Sequence, residues 1–235
     1  MIDALSLVGR SLRDLWEEFA FLMVLNVLWS LSVLLAIWPW FVLRLPWPLV
    51  LALSLLLAVP LPIISAGICF VANQVTRGIA VGWPAFGTGV RRHWRKSLVV
   101  ALINLFMLFF IATNLRFYAL VLKGSWTNWA LGIWLVLAVY WLLTQIFWFP
   151  MILELESEKV LLGLRNALAM VIITPGFSLT LAAVMLLLGV VCTVLTVPAV
   201  LFLASLFLLI ANHATRSRLA HVQKKPYHPG MQEDR

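Results

Sequence analysis

Apolar residues run along this chain in five long stretches that contain no Asp, Glu, Lys or Arg. The stretches cover residues 19–43, 45–76, 97–115, 124–153 and 166–215. An uncharged apolar run of about 18 residues or more is long enough to cross a bilayer as an α-helix. The pattern therefore predicts an all-α, polytopic membrane helix bundle.

Six transmembrane helices fit these stretches, at about 19–41, 48–74, 97–118, 126–149, 175–196 and 198–215. Pro60 and Pro62 interrupt the second span near its middle. The turn between the last two spans lies either near Gly189 or at residues 196–198. Residues 1–218 then form a single transmembrane domain, and residues 219–235 form a polar cytoplasmic tail.

The charged residues predict the orientation of the bundle. With the N-terminus in the cytoplasm, 14 of the 17 Lys and Arg residues and all nine acidic residues fall in inner segments. The outer loops hold only Arg44, Arg116 and Lys123. Because positive residues resist translocation, this distribution predicts an N-in, C-in topology.

Composition narrows the class of protein further. Hydrophobic residues make up 63% of the chain and charged residues 11%, against about 45–50% and about 25% in soluble domains. The net charge of +8 is explained by the cytoplasmic loops and does not indicate a nucleic-acid partner. Cys69 and Cys192 lie inside apolar runs and are interpreted as packing residues.

Two of the inner segments have amphipathic patterns that precede a span. The first predicts a helix on the membrane surface, with apolar positions at Leu5, Val8, Leu12, Leu15, Trp16 and Phe19. In the second, Pro84 opens a helix that leads into a basic cluster before span three. The cluster consists of Arg91, Arg92, Arg95 and Lys96. It is either a contact for anionic lipid headgroups or a topology determinant alone.

A third inner segment, residues 154–175, is predicted to be one amphipathic helix with an acidic start. Its candidate partner-docking residues are Glu154, Glu156, Glu158, Gly163 and Arg165. Carboxylates at a helix start complement the helix dipole, and Pro175 breaks the helix. The segment is similar to the coupling helix of importer permeases of the ATP-binding-cassette class. The sequence favours an interfacial helix without a protein partner over such a docking helix.

Polar side chains inside the predicted spans must find partners, because lipid offers none. The candidates are Asn26, Ser30, Ser65, Asn73, Asn104 and Gln145. They either hold the helices together or line a path for a polar substrate. No ionisable residue lies at a predicted midplane, which argues against a proton-coupled or sodium-coupled pump.

No catalytic, cofactor-binding or metal-binding residue is predicted. A membrane enzyme needs a nucleophile with a base, or a metal cluster. The four histidines all lie in inner segments, and none has a second ligand at metal-binding spacing. The sequence therefore favours a protein that is not an enzyme.

Short motifs occur in order between residues 15 and 215. They are Leu25-Asn26-Val27-Leu28-Trp29, Leu61-Pro62-Ile63-Ile64 before Ser65-Ala66-Gly67, Phe86 before the basic cluster, Phe149-Pro150, and Leu164-Arg165-Asn166-Ala167-Leu168. In this order they resemble the YesL-like family of bacterial membrane proteins. Residues 38–60 depart from the family pattern as extra sequence in the first hairpin.

The resemblance implies a multi-pass protein of the bacterial inner membrane. Members of that family are often associated with carbohydrate import by ATP-binding-cassette systems, so the resemblance implies an accessory role near such a system. It supplies no catalytic residue.

The sequence is compatible with three functions, given in order of preference. The first is a non-enzymatic accessory or assembly subunit of a membrane complex, linked to carbohydrate import, with other membrane-protein subunits as partners. The second is a small membrane carrier or substrate-capturing component of a transporter. The third is a membrane enzyme, for which the sequence offers no reactive group.

Overall fold

The computed structural model describes residues 2–121, 124 and 126–222, and for residues 2–4 and 121 it describes the backbone alone. Within these residues the chain is almost entirely helical and contains no strand, which confirms the all-α prediction. The α-helices, in chain order, are α1 Ile2–Glu17, α2 Phe19–Val42, α3 Trp47–Leu57, α4 Pro60–Val75, α5 Trp83–Arg116, α6 Thr127–Glu154, α7 Val160–Ile173, α8 Pro175–Leu195 and α9 Val197–Val222.

Six helical segments are long and apolar enough to cross a membrane, which confirms a polytopic bundle. They are α2, the pair α3 and α4, α5 with the π-helical turn Phe117–Val121, α6, α8 and α9. Helices suit this setting because their backbone hydrogen bonds are satisfied within each segment. Of the predicted tail, residues 219–222 continue α9, and residues 223–235 lie outside the described part of the chain.

The second span is broken, as the two prolines predict. α3 ends at Leu57, and α4 begins at Pro60. Proline suits the first position of a helix, because a backbone N–H there has no acceptor within the helix. α3 packs mainly on α2, whereas α4 contacts α2, α5, α6 and α9. The break therefore separates a peripheral outer half of the span from a central inner half.

α5 is the longest helix and crosses α4 where two glycines meet bulky neighbours. Its 34 residues extend over about 50 Å, which exceeds the hydrocarbon core of about 30 Å. A Cβ atom at Gly67 would lie 2.5 Å from the Phe86 ring, and one at Gly89 would lie 2.7 Å from the Phe70 Cβ. The two glycines therefore let the helices approach closely.

The inner segment at residues 154–175 is not one helix, contrary to the prediction. Glu154 is the last residue of α6, and residues 155–159 form a loop before α7 begins at Val160. Glu158 has a positive φ of 44°, a conformation that a helix cannot contain. Glu154 thus ends α6, and Glu156 and Glu158 precede α7 in a loop instead of forming its first turn.

α9 lies at the centre of the bundle. α1, α2, α4, α6 and α8 all pack on it. The turn before it falls at Thr196, which has a positive φ of 55°, so the second of the two predicted turn positions is right. Gly189 lies inside α8, where a Cβ atom would be 3.2 Å from the Phe207 ring.

The ends of the helices define two faces of the bundle. The face that carries α1, the loops at residues 76–82 and 155–159, and the C-terminal end of α9 is called the inner face here. Contacts of Asp14 with His213 and of Asn73 with Glu154 join these segments. The charge distribution predicts that this face is cytoplasmic.

Candidate functional site

A buried charged cluster joins the inner ends of α4, α6 and α9. The Glu154 carboxylate accepts a hydrogen bond of 2.7 Å from the Asn73 amide and forms an ion pair of 3.0 Å with Arg77. The guanidinium of Arg216 lies 3.9 Å from the same oxygen. The Asn73 amide also donates to the Asn212 side-chain oxygen at 3.2 Å. The Glu154 carboxylate of α6 therefore contacts residues at the inner ends of α4 and α9.

The geometry of this cluster favours a fixed junction. The Arg77 Nε donates to the Asn73 side-chain oxygen at 3.0 Å, and Arg216 donates to the backbone carbonyl of Thr76. Glu154, Asn73 and Arg216 are largely buried. A largely buried carboxylate that contacts several donors is held in one orientation.

A second ionic cluster holds the loop at residues 155–159 against α5. Glu158 forms an ion pair of 2.5 Å with Arg92 and a hydrogen bond with the Lys96 ammonium. Burial alone would raise the pKa of Glu158, but the Lys96 hydrogen bond and the nearby charges of Lys96, His93 and Arg92 outweigh it. The pKa of Glu158 is therefore lower than its ordinary value.

His93 lies next to this ion pair. Its side chain is 1% exposed, and it packs between the rings of Phe70 and Phe149, with centroids 5.6 and 6.5 Å away. Its Nδ1 atom lies 3.7 Å from the Glu158 carboxylate. Neither ring nitrogen has a hydrogen-bond partner within the described residues.

The predicted basic cluster is divided by these contacts. Arg92 and Lys96 bind Glu158, whereas Arg91 and Arg95 are exposed on α5. The Arg95 guanidinium lies 5.1 Å from the centre of the Trp94 ring. Two of the four cations thus have an internal role, and two face outward.

α1 is fixed to the inner end of α9 beside an open cleft. His213 Nε2 lies 2.6 Å from an Asp14 carboxylate oxygen, and the His213 side chain is buried. The cleft has a volume of about 510 Å³ and lies between α1 and the loop after α4. Charged residues of α1 that line it include Arg10, Arg13 and Glu17.

Two of the predicted intramembrane polar residues join α2 to α9. The buried Asn26 amide donates to the carbonyls of Ala199 at 3.3 Å and Val200 at 2.7 Å, and its oxygen accepts from the backbone N–H of Ser205 at 2.9 Å. Ser30 donates to the Val200 carbonyl at 3.2 Å. These side chains therefore bond directly to the backbone of a neighbouring span.

Three further polar residues make contacts between neighbouring helices. Asn104 on α5 donates to the Gln145 oxygen at 2.7 Å and accepts from the Trp141 indole at 2.9 Å, and both partners lie on α6. Ser65 on α4 accepts from the indole of Trp29 on α2 at 2.9 Å. The structure thus brings every predicted intramembrane residue into contact with another helix.

The five candidate docking residues occupy different positions. Glu154 and Glu158 belong to the two ionic clusters, and Gly163 is buried where a Cβ atom would lie 2.5 Å from the Ile152 side chain. Glu156 and Arg165 are exposed on the inner face. Only these last two present charge outward.

The sequence did not identify Arg77 and Arg216 as partners of Glu154, or Asn212 as a partner of Asn73. The one feature that these three residues share in the sequence is that each lies near the inner end of a predicted span. In the part of the chain that the structure describes, no three His, Cys, Asp or Glu side chains form a group suited to a metal ion.

Comparison of the chain with protein-family models, with curated proteins and with solved structures gives no match. The resemblance to the YesL-like family therefore stays a prediction from short motifs.

Proposed function

We propose that this chain is a non-enzymatic accessory or assembly subunit of a membrane complex in the bacterial inner membrane, linked to carbohydrate import. The link to carbohydrate import and the bacterial membrane rest on the resemblance to the YesL-like family. The role as a subunit rests on the contacts within the bundle and on its inner face.

The observation that carries the proposal is the use of the intramembrane polar groups. Asn26, Asn104 and Gln145 make hydrogen bonds to neighbouring helices or their side chains. Side chains that are satisfied in this way stabilise the bundle and are not available to a passing polar substrate. This arrangement supports a scaffold over a substrate path.

The inner face offers a surface for a protein partner on α7. α7 buries Gly163, Ala167, Met170 and Val171 against the bundle and exposes Leu161, Arg165 and Ile172 on its opposite side. We call these three exposed residues, with Glu156 of the preceding loop, the α7 surface. Apolar side chains around an arginine match the composition of protein interfaces, where arginine is enriched.

Affinity purification from the native membrane in a gentle detergent tests this proposal. We expect importer subunits, or another defined membrane complex, to be recovered with the wild-type chain. Arg165→Glu is expected to reduce that recovery roughly tenfold. Charge reversal at an interface contact weakens the free energy of binding by about 1–2 kcal/mol.

Arg44→Glu is the matched control, because Arg44 is also an exposed arginine but lies at the opposite face. It should leave the recovery unchanged. Recovery of the chain without any other protein, in repeated preparations with intact fold, would contradict the subunit role.

The outward cations of α5 support a smaller proposal about lipid. Arg91 and Arg95, with the Trp94 ring beside them, would contact anionic headgroups of the inner leaflet. The double variant Arg91→Gln and Arg95→Gln should co-purify with less anionic lipid than the wild type. Equal lipid content would leave these residues as topology determinants only.

A small carrier is the second candidate, and the broken second span favours it, since interrupted helices line many transport sites. Uptake into vesicles that contain the purified chain tests it. Leucine at Asn26, Asn73 or Asn104 should abolish uptake if these residues line a path. Absence of uptake by the folded wild-type chain would remove the carrier hypothesis, and uptake that persists in the folded variants would remove these residues from the path.

A further inference from the structure

α1 carries three different surfaces around its axis. Leu7, Val8, Ser11 and Leu15 are buried against the bundle, and Arg13 and Glu17 are exposed on a polar side. A third side is apolar and exposed, and it consists of Leu5, Leu12 and Trp16. With 3.6 residues per turn, the centres of the three sides lie roughly a third of a turn apart.

The sequence pattern predicts a single apolar face on α1, and the structure divides it. The bundle covers only Val8 and Leu15 of the predicted face, along with Leu7. The rest of that face, the stripe Leu5, Leu12 and Trp16, is not covered by the bundle, and Trp16 is 76% exposed. Exposed apolar surface of this extent on a helix indicates a contact that the chain alone does not provide.

The stripe continues directly into the lipid-facing surface of the spans. The Trp16 ring contacts the Phe19 ring at 5.5 Å, and the Phe19 ring contacts Phe202 of α9 at 5.1 Å. Phe19 begins the first membrane-spanning helix. A row of rings thus leads from α1 onto a surface that lies in the bilayer.

We propose that the stripe Leu5, Leu12 and Trp16 inserts into the acyl–headgroup boundary of the inner leaflet. α1 then lies in the corner between protein, lipid and water, with one side toward each. Tryptophan is preferred at this depth because its ring is apolar and its indole N–H is polar. The ion pair of Arg13 with Glu17 faces water on the remaining side.

Spin-label accessibility in liposomes of phosphatidylethanolamine and phosphatidylglycerol tests the proposal on the full chain. Single cysteines replace Leu5, Leu12, Arg13 or Val8 in a background with Cys69→Ala and Cys192→Ala, and each carries a nitroxide. Collisions with apolar oxygen and with a water-soluble nickel complex are compared at each position.

We expect the labels at positions 5 and 12 to collide more with oxygen than with nickel, and the label at position 13 to show the opposite preference. The label at position 8 should be protected from both. Adjacent positions 12 and 13 form a matched pair, since they share the same helical turn. Nickel preference at positions 5 and 12 would overturn the proposal by placing the stripe in water. Protection of both positions from both reagents would overturn it by placing a protein there.

Discussion

The close crossing of α4 and α5 leads to a sharp prediction for Gly89→Ala. A Cβ atom at this position would lie 2.7 Å from the Cβ of Phe70, whereas ordinary contact begins at 3.4 Å. Because the obstructing atom is fixed to the α4 backbone, rotation of a side chain cannot relieve the clash. The two helices must separate by about 0.7 Å or more, by comparison of these distances.

The matched control is Gly87→Ala, two residues earlier on the same helix. No atom lies within 4 Å of a Cβ atom added there. Both variants gain about 1 kcal/mol of helix propensity, but overpacking costs Gly89→Ala about 1–3 kcal/mol. Relative to the control, Gly89→Ala should therefore be less stable by about 1–3 kcal/mol.

Thermal unfolding in detergent measures this difference through Cys69. The thiol is 1% exposed, so a maleimide dye reacts with it only when the bundle opens, in a Cys192→Ala background. The midpoint of Gly89→Ala should lie roughly 2–10 °C below that of Gly87→Ala. Equal midpoints, or a higher midpoint for Gly89→Ala, would refute the close crossing.

The same unfolding assay tests two further contacts. Asn26→Leu leaves the Ser205 N–H without its side-chain acceptor and should lower the free energy of unfolding by about 1–3 kcal/mol. Ser32→Ala loses only a hydrogen bond within α2 and should lower it by less. Equal losses of stability in the two variants would contradict the role of Asn26. The lowered pKa of Glu158 means that its stabilising effect is present above the unfolded pKa of about 4.3 and is lost as the pH falls through the folded pKa. Glu158→Gln should therefore reduce the loss of stability that the wild type shows at acidic pH. Glu156→Gln should leave that loss unchanged. Identical plots of stability against pH for the two variants would contradict the role of the Glu158 cluster.

The spans were predictable because each depends on local composition. A long apolar run must be helical in lipid wherever it occurs, so six spans follow from the sequence without knowledge of their neighbours. The break before Pro60 follows in the same way, since proline disfavours the continuation of a preceding helix. The turn at Thr196 was one of two positions that the sequence allowed.

The inner clusters were not predictable, because their members are far apart in the chain. Asn73 lies 81 positions from Glu154 and 139 positions from Asn212. Pairing at such separations depends on how the spans pack, which periodicity does not encode. The start of α7 was also misplaced, because the acidic residues resemble a helix start but Glu158 is held in a left-handed conformation.

The central claim is that the α7 surface contacts another membrane protein. A photo-crosslinking amino acid at Leu161 tests it most directly in intact cells, with Val136 on α6, also an exposed apolar position, as the control. We expect a protein adduct of one defined mass from position 161 and no such adduct from position 136. Adducts with lipid alone at both positions would contradict the claim.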